Sequence, residues 1–255
     1  MTFEASGKRY DRYMGRYLPE LGAALADAAG VCSGQHALDV GCGPGGLTSE
    51  LVARLGAESV AAIDPSESFV AACRERNPGV DIRLGVAEQL PFEDGSFDVA
   101  LASLAVPFMQ DPVEGVREMA RVASVVAACV WDYGGGMEML RVFWEAARAI
   151  DPSAPGESGL IGGSAGDLGL IFEDGGLTEI EEGVLAVGAD YEGFEDWWEP
   201  FEYGIGPAGS YCVSLGEGRR AVLREECRAR LDDPQGPFRG PARAWYATGL
   251  RAECS

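Results

Sequence analysis

A short apolar run, Ala37-Leu38-Asp39-Val40, opens into a loop in which four of six residues are glycine, Gly41-Cys42-Gly43-Pro44-Gly45-Gly46. Leu47, Leu51, Val52 and Leu55 then recur at helical spacing. A strand that ends in glycines and gives way at once to an amphipathic helix is a severe constraint. The loop must sit at the C-terminal end of the strand, where glycine lets the backbone turn sharply and lie close to a neighbour. The helix must then fold back over a sheet, so the chain is built from crossover units.

The next hundred residues repeat the pattern. Residues 59–63 are apolar and end at Asp64. Ser66 is placed to cap a helix carrying Phe69, Val70 and Cys73 on one face, and Asn77-Pro78-Gly79 stops it. Strands are expected at 80–84, 97–101 and 125–131, with a helix opened by Asp111-Pro112 and running through Met119. Continuous apolar strands such as 125–130 suit a sheet covered on both faces. The second half predicts a strand over 177–187, an aromatic-rich helix and loop over 193–203, a charged helix over 217–231 and a last strand over 242–250. The expected fold is α/β, a doubly wound, mostly parallel seven-stranded Rossmann-like sheet with helices on both faces and a helical lid insertion. With no repeat or low-complexity linker, residues 1–255 read as one domain: covering helices at 1–34, a binding core at 35–135, and a C-terminal part at 136–255 whose acidic, aromatic lid lies around 190–235.

Charge narrows the partners. Acidic residues number 41 against 20 basic ones, a net charge of -21 over 255 residues. Such a chain repels phosphate backbones and anionic bilayers, so neither nucleic acid nor membrane is an expected partner. Between 149 and 218 there are 15 Asp or Glu and no Lys or Arg. That stretch favours a neutral or cationic small-molecule partner, although a solvated acidic face is the usual meaning of such a run. The longest apolar stretch, 122–131, is too short to cross a bilayer, and the polar N-terminus lacks a signal-peptide core. Seven cysteines without a C-x-x-C pair predict a reduced, cytoplasmic chain without a metal site.

Gly41, Gly43 and Gly46 also satisfy G-x-G-x-x-G, which read literally predicts NAD or FAD. Three features point elsewhere: Asp39 two residues before the first glycine, Pro44 after the second, and Ala87-Glu88-Gln89-Leu90-Pro91-Phe92 after the third strand. With Asp64 and Ser96-Phe97-Asp98 in this order, residues 35–131 resemble the class I S-adenosylmethionine-dependent methyltransferases, closest to the small-molecule group of quinone and sterol methyltransferases. Residues 10–16, Tyr10-Asp11-Arg12-Tyr13-Met14-Gly15-Arg16, are similar to the lead segment of a bacterial branch, in which they cover the cofactor.

The resemblance implies S-adenosylmethionine as cofactor and methyl transfer to a small molecule as activity. Asp39 would face the ammonium of the methionine end, and backbone donors of Gly41 and Gly43 its carboxylate or the ribose. Asp64 would hold the ribose hydroxyls, an arrangement shared with dinucleotide sites. Ala87 and Glu88 would edge the adenine, Ser103 would lie under the methionine, and Arg16 would pair with its carboxylate. Cys42, Gly45 and Pro65 complete the expected set, Cys42 as a packing residue. The chain departs from the family at three points. Val86 stands where an acidic residue commonly bonds the adenine amino group, Pro107 where a histidine is frequent, and residues 121–125 lack the usual Pro-Gly-Gly turn.

Methyl transfer needs alignment and desolvation more than a strong base. His36, the one histidine, begins the first strand, away from the ligand edge. Asp132, Tyr133 and Tyr13 are the candidates to take a proton. Trp197, Trp198, Phe201, Tyr203 and Tyr211 are either core or the wall of an acceptor pocket. Two other readings stand beside this one: a protein that binds the cofactor without methylating, and a nicotinamide-dependent oxidoreductase.

Overall fold

The computed structural model describes residues 11–157 and 159–252. Tyr10 lies outside the described residues. Seven strands form one sheet: β1 (Ala37–Val40), β2 (Val60–Asp64), β3 (Asp81–Leu84), β4 (Phe97–Ser103), β5 (Ala123–Trp131), β6 (Leu177–Tyr191) and β7 (Phe238–Arg251), in the order β3-β2-β1-β4-β5-β7-β6. Neighbours among the first five pair in parallel, with Ala37 opposite Val60 on one side and Val99 on the other. β7 runs antiparallel between β5 and β6. This is the doubly wound, mostly parallel sheet expected from the alternation.

Side chains alternate across the pleat and so feed two cores. Ala37, Leu101, Cys129 and Trp131 point to one face, under α1 (Leu18–Ala28), α2 (Gly46–Leu55) and α5 (Glu138–Ile150). Leu38, Ala100, Ala102 and Val130 point to the other, under α4 (Pro112–Val122) and α6 (Asp167–Asp174). On the first face, α3 (Glu67–Arg76) closes a smaller cluster with Ala62 and Ile82 through Val70 and Cys73. Both expected caps are in place: Ser66 Oγ accepts from Phe69 N at 3.4 Å, and Asp111 Oδ1 from Glu114 N at 3.1 Å.

The missing turn before β5 has a local consequence. α4 runs to Val122 and β5 begins at Ala123 with no intervening residue, so helix and strand are each longer than the sequence predicts. Arg121 stays at this corner, bonding Glu118, Asp94 and the carbonyls of Leu90 and Phe92. The last two strands are also longer than expected, pairing from Leu177↔Arg251 to Tyr191↔Phe238.

The stretch expected to form a lid holds α7 (Phe194–Trp198), α8 (Gly206–Ser214) and α9 (Glu217–Arg230). Among the described residues, five carboxylates of the acidic run between 149 and 218, Asp151, Asp190, Glu195, Asp196 and Glu199, pair with arginines from outside that run. Arg12 and Arg16 meet Asp196, Arg219 meets Asp151, and Arg228 meets Glu195 at 2.9 Å. No helix among the described residues is long and apolar enough to cross a membrane.

Candidate functional site

In a sheet of this order, the connections after β1 and β4 leave in opposite directions, and a crevice opens at the C-terminal edge between them. A cavity of about 710 Å³ occupies that place. Its wall comes from the segments that follow four adjacent strands: Gly41 and Gly43 after β1, Asp64 to Ser66 after β2, Gly85 to Glu88 after β3, and Ser103 to Gln110 after β4. Leu160 adds an apolar edge. No lysine, arginine or histidine is in the wall among the described residues.

The glycines are there for space. A Cβ on Gly41 would stand 2.4 Å from that of Ala105, at φ +73°. One on Gly45 would strike Asn77 Nδ2 and Cys73 Sγ, at 2.5 and 2.7 Å. The loop therefore lies pressed between β4's exit and α3. Its donors are spent on the fold: Gly41 N donates to Ile63 O at 2.8 Å, and Gly43 N to Asp64 Oδ2 at 2.8 Å. Both N–H groups expected to face the cofactor carboxylate or ribose are thus engaged within the protein. What Gly41 and Gly43 offer the cavity is closeness of approach.

Asp64 is the polar centre of the site. Its two oxygens accept from Gly43 N and Ser66 N, each at 2.8 Å, and it is only 6% exposed. Burial raises its pKa, and the two N–H donors oppose that shift. Each oxygen keeps a second lone pair, and the residue lines the cavity beside Pro65.

Other expectations divide. Ala87 and Ser103 line the cavity, and Ser103 Oγ lies 3.6 Å from Cys129 Sγ. Glu88 lines it too, but its Oε1 accepts from Gln110 N at 2.7 Å and Asp111 N at 3.1 Å. That oxygen fastens the segment after β4 to the segment after β3, while Oε2 carries no hydrogen bond among the described residues. Asp39 is wholly buried behind the loop and outside the wall. Thr48 Oγ1 donates to its Oδ2 at 2.6 Å, while its Oδ1 has no hydrogen-bond partner. Burial pushes its pKa up to about 8. Cys42 and Gly45 shape the loop from behind; the neighbouring Cys73 thiol, and after it burial, raises the Cys42 thiol.

Arg16 is not at the cavity. Its guanidinium makes two 3.0 Å bonds to Asp196, another to Asp190 O at 3.1 Å, and stacks over Tyr191 at 4.4 Å. A nearby carboxylate has satisfied it, so it joins the N-terminal segment to the lid. Asp132 is likewise taken: Arg243 donates to its Oδ2 at 2.6 Å and Gly134 N to its Oδ1 at 3.0 Å, and it is 5% exposed. Tyr133 packs between the two cores and touches the position of Gly163. Tyr13 is buried edge-on against Phe201, ring centres 5.8 Å apart. None of these three candidate bases lines the cavity.

The aromatic cluster is core. Trp197, Trp198 and Phe201 are at most 2% exposed, and Phe201 stacks on Phe143 at 4.4 Å. Tyr203 and Tyr211 pack against the same cluster. Sequence reasoning missed the apolar half of the wall, Leu104, Phe108 and Met109. One signal was available: these residues follow directly on Ser103, at the end of β4. Leu104 holds a left-handed backbone, φ +61°, unusual for a branched side chain and typical of strain kept at functional sites.

Comparison with known proteins agrees with this geometry. Residues 38–128 match the methyltransferase domain family. A demethylmenaquinone methyltransferase of Renibacterium salmoninarum is 37% identical over 98 residues, 38% of this chain and 40% of that protein. The chain spans less than half the length of the curated relatives it matches. Among solved structures, one described as a type II methyltransferase from Anaeromyxobacter dehalogenans superposes with a TM-score of 0.68 at 23% identity, over 94% of this chain and 98% of that one. The Haemonchus contortus phosphoethanolamine N-methyltransferase 2, complexed with phosphomonomethylethanolamine and S-adenosylhomocysteine, gives 0.55 at 16% identity, over 91% and 52%. Residues 38–128 thus match a methyltransferase domain, in a chain that shares the fold of these solved methyltransferase structures.

Proposed function

We propose that this chain transfers a methyl group from S-adenosylmethionine to a small-molecule acceptor, neutral or cationic, in the cytoplasm. The observation that carries the reading is Asp64 in the wall of the cavity at the crevice between β1 and β4. The carboxylate is pre-set by two backbone donors, with free lone pairs toward a ribose. The shape of the wall fits the cofactor. Gly41 and Gly43 leave room for close approach, while Pro65, Phe69, Val86 and Met109 give apolar surface for a base.

When bound, the cofactor supplies a methyl group already activated on a sulfonium. The chain's own contribution is to bind, align and exclude water. Asp64 holds the ribose end; Leu104, Pro107 and Phe108 pack along the side where an acceptor enters. The charged side chains of the wall, Asp64 and Glu88, both bond backbone N–H groups. The acceptor therefore brings its own nucleophilicity and passes its proton to water or to a neighbour outside the wall.

A wall without a cation among the described residues, in a chain of net charge -21, supports an acceptor without negative charge and disfavours nucleic acid. Phe108, 44% exposed at the mouth, supports an apolar one, in keeping with a relative named for demethylmenaquinone. Six described cysteines, all free thiols, support a reducing compartment.

The test is calorimetric titration with S-adenosylmethionine, S-adenosylhomocysteine and NAD, followed by label transfer from methyl-labelled cofactor to panels of uncharged, cationic and anionic small molecules. Micromolar binding of the first two with turnover on an uncharged or cationic acceptor is expected. Binding of NAD alone would overturn the reading. Binding of the cofactor with no turnover on any panel would leave a binding protein.

A further inference from the structure

We propose that Cys42 and Cys73 form a dithiol switch beneath the glycine loop, and that closing it into a disulfide lowers the affinity of the cavity for its cofactor. The ligand is taken from the methyl-donor reading above. The switch itself stands on how the loop is packed.

The two cysteines come from different elements, Cys42 from the loop after β1 and Cys73 from α3. They share a small buried cluster with Ala62, Val70 and Ile82, and their side chains are in hydrogen-bonding contact. The turn of the loop brings them together. Gly45 N donates to Cys42 O at 3.0 Å, and a Cβ on Gly45 would stand 3.3 Å from Cys73 Cα and 2.7 Å from its Sγ. Asn77 Nδ2 ties the same two elements, donating to Gly45 O at 3.3 Å. Both cysteines are free thiols.

The surroundings suit thiol chemistry. Cys73 is wholly buried, with Asn77 Nδ2 at 3.7 Å from its Sγ. The bond with Cys42 first, and Asn77 beside it, hold the Cys73 thiol below the ordinary thiol range against burial, which favours the reactive thiolate. Cys42 lies between Gly41 and Gly43, which line the cavity, so the pair is one residue from solvent. With hydrogen peroxide as oxidant the step balances. One sulfur attacks a peroxide oxygen, the O–O bond breaks, and a sulfenic acid and water form. The other sulfur then attacks the sulfenic sulfur and gives up its proton. The S–O bond breaks, the S–S bond forms, and a second water leaves. The thiols lose two electrons and the peroxide gains them.

A disulfide sets its sulfurs about 2.0 Å apart, inside any hydrogen-bonded contact, so one side must move. The loop is the side that yields. Cys42 is flanked by two glycines at positive φ, and a Cβ on Gly43 would meet nothing within 4 Å, whereas α3 is packed into the cluster by Val70 as well as Cys73. Drawing Cys42 toward α3 pulls Gly43 N from Asp64 Oδ2, 2.8 Å away in the reduced chain, and so displaces the carboxylate that lines the cavity.

The experiment uses the full chain with the exposed Cys32 replaced by Ser, alone and with Cys73→Ser or Cys73→Ala. Trypsin cuts after Arg54 and Arg74, which places Cys42 and Cys73 on adjoining peptides. After treatment with one equivalent of hydrogen peroxide, the parent should lose the mass of two hydrogens and give those peptides linked. Calorimetry with S-adenosylhomocysteine should show affinity lowered by about 10-fold or more, as expected for loss of a charge-assisted bond, and restored by dithiothreitol. Both Cys73 variants should bind like the reduced parent before and after peroxide, with melting temperatures measured alongside; the Ala variant covers a Ser variant that fails to fold. Absence of the linked peptides, a linked chain of unchanged affinity, or an equal loss in the Cys73 variants overturns the switch and leaves the cofactor reading intact. Failure of the reduced chain to bind S-adenosylhomocysteine overturns that reading and the switch with it.

Discussion

Replacing Asp39 by Asn should stabilise the fold at neutral pH. Asp39 is completely buried, with one oxygen bonded to Thr48 and the other unpartnered. Its pKa rises from 3.8 to about 8, chiefly through burial. The sign follows from proton linkage: between these two values the folded state keeps a proton that the unfolded state releases. The group's contribution to stability is thus fully present below about pH 3.8 and is lost progressively as pH rises toward about 8. At pH 7 the chain is about three pH units above the unfolded pKa, and each unit corresponds to about 1.4 kcal/mol, a loss of about 4 kcal/mol. At pH 5 the loss is about 1–2 kcal/mol by the same reasoning. Asn has nearly the same shape, keeps an acceptor for Thr48 Oγ1 and does not titrate. The assay is urea unfolding of both proteins at pH 5 and pH 7. The stability of the variant relative to the parent should rise between the two pH values by about 2–3 kcal/mol. Taking a difference of differences cancels the other carboxylates, which both proteins share. Parallel stability profiles for parent and variant would refute the argument, because the buried carboxyl would then titrate as it does in the unfolded chain.

Three further perturbations test other parts of the molecule. Asp64→Ala should cost about 1–3 kcal/mol of cofactor binding by titration calorimetry, through lost ribose bonds and a loosened Gly43. Arg16→Ala should leave that affinity unchanged while lowering stability by about 1–3 kcal/mol in urea unfolding, since its guanidinium serves Asp196; a large loss of cofactor affinity with unchanged stability would return Arg16 to the site. Glu157 is buried, accepts from Trp144 Nε1 at 3.1 Å, and burial raises its pKa from 4.5 to about 7. Glu157→Gln should therefore flatten the decline in stability between about pH 4.5 and 7 by about 2–3 kcal/mol, read from unfolding curves at pH 5 and pH 8.

The sheet was largely legible because its signals are local. Apolar strands, glycines after β1, and caps at Ser66 and Asp111 are each set by a few neighbouring residues, and the structure has them where the sequence puts them. Strand ends were less legible. β7 carries Arg239, Pro241 and Arg243 on outward positions, which interrupts the apolar pattern without interrupting the ladder. Position along the chain also served well for the cavity wall: Gly41, Gly43, Asp64, Pro65, Ala87, Glu88 and Ser103 all line it, because the C-terminal ends of parallel strands necessarily share one edge.

What position along the chain does not reveal is which partner a polar side chain will take. Arg16 and Asp132 are both near the ligand edge in sequence terms, yet a charge there pairs with the nearest opposite charge, and that charge comes from distant sequence. Asp196 is 180 residues from Arg16, and Arg243 is 111 from Asp132. The same holds for Glu88, whose partners are two backbone N–H groups on the loop after β4. The aromatic cluster shows the converse. Trp197, Trp198 and Phe201 could be read as a ligand wall because they cluster in the C-terminal insertion, but Phe143, Trp144 and Tyr13 arrive from other elements and bury them. The useful discriminator is therefore satisfaction rather than residue type. A polar group whose bonds are already complete positions its neighbours, whereas one held against a cavity by its backbone, with its side-chain bonds unmade, is available to a ligand. By that criterion the wall leaves the second lone pairs of Asp64 and the Oε2 of Glu88, which carries no hydrogen bond among the described residues, with bonds still to accept.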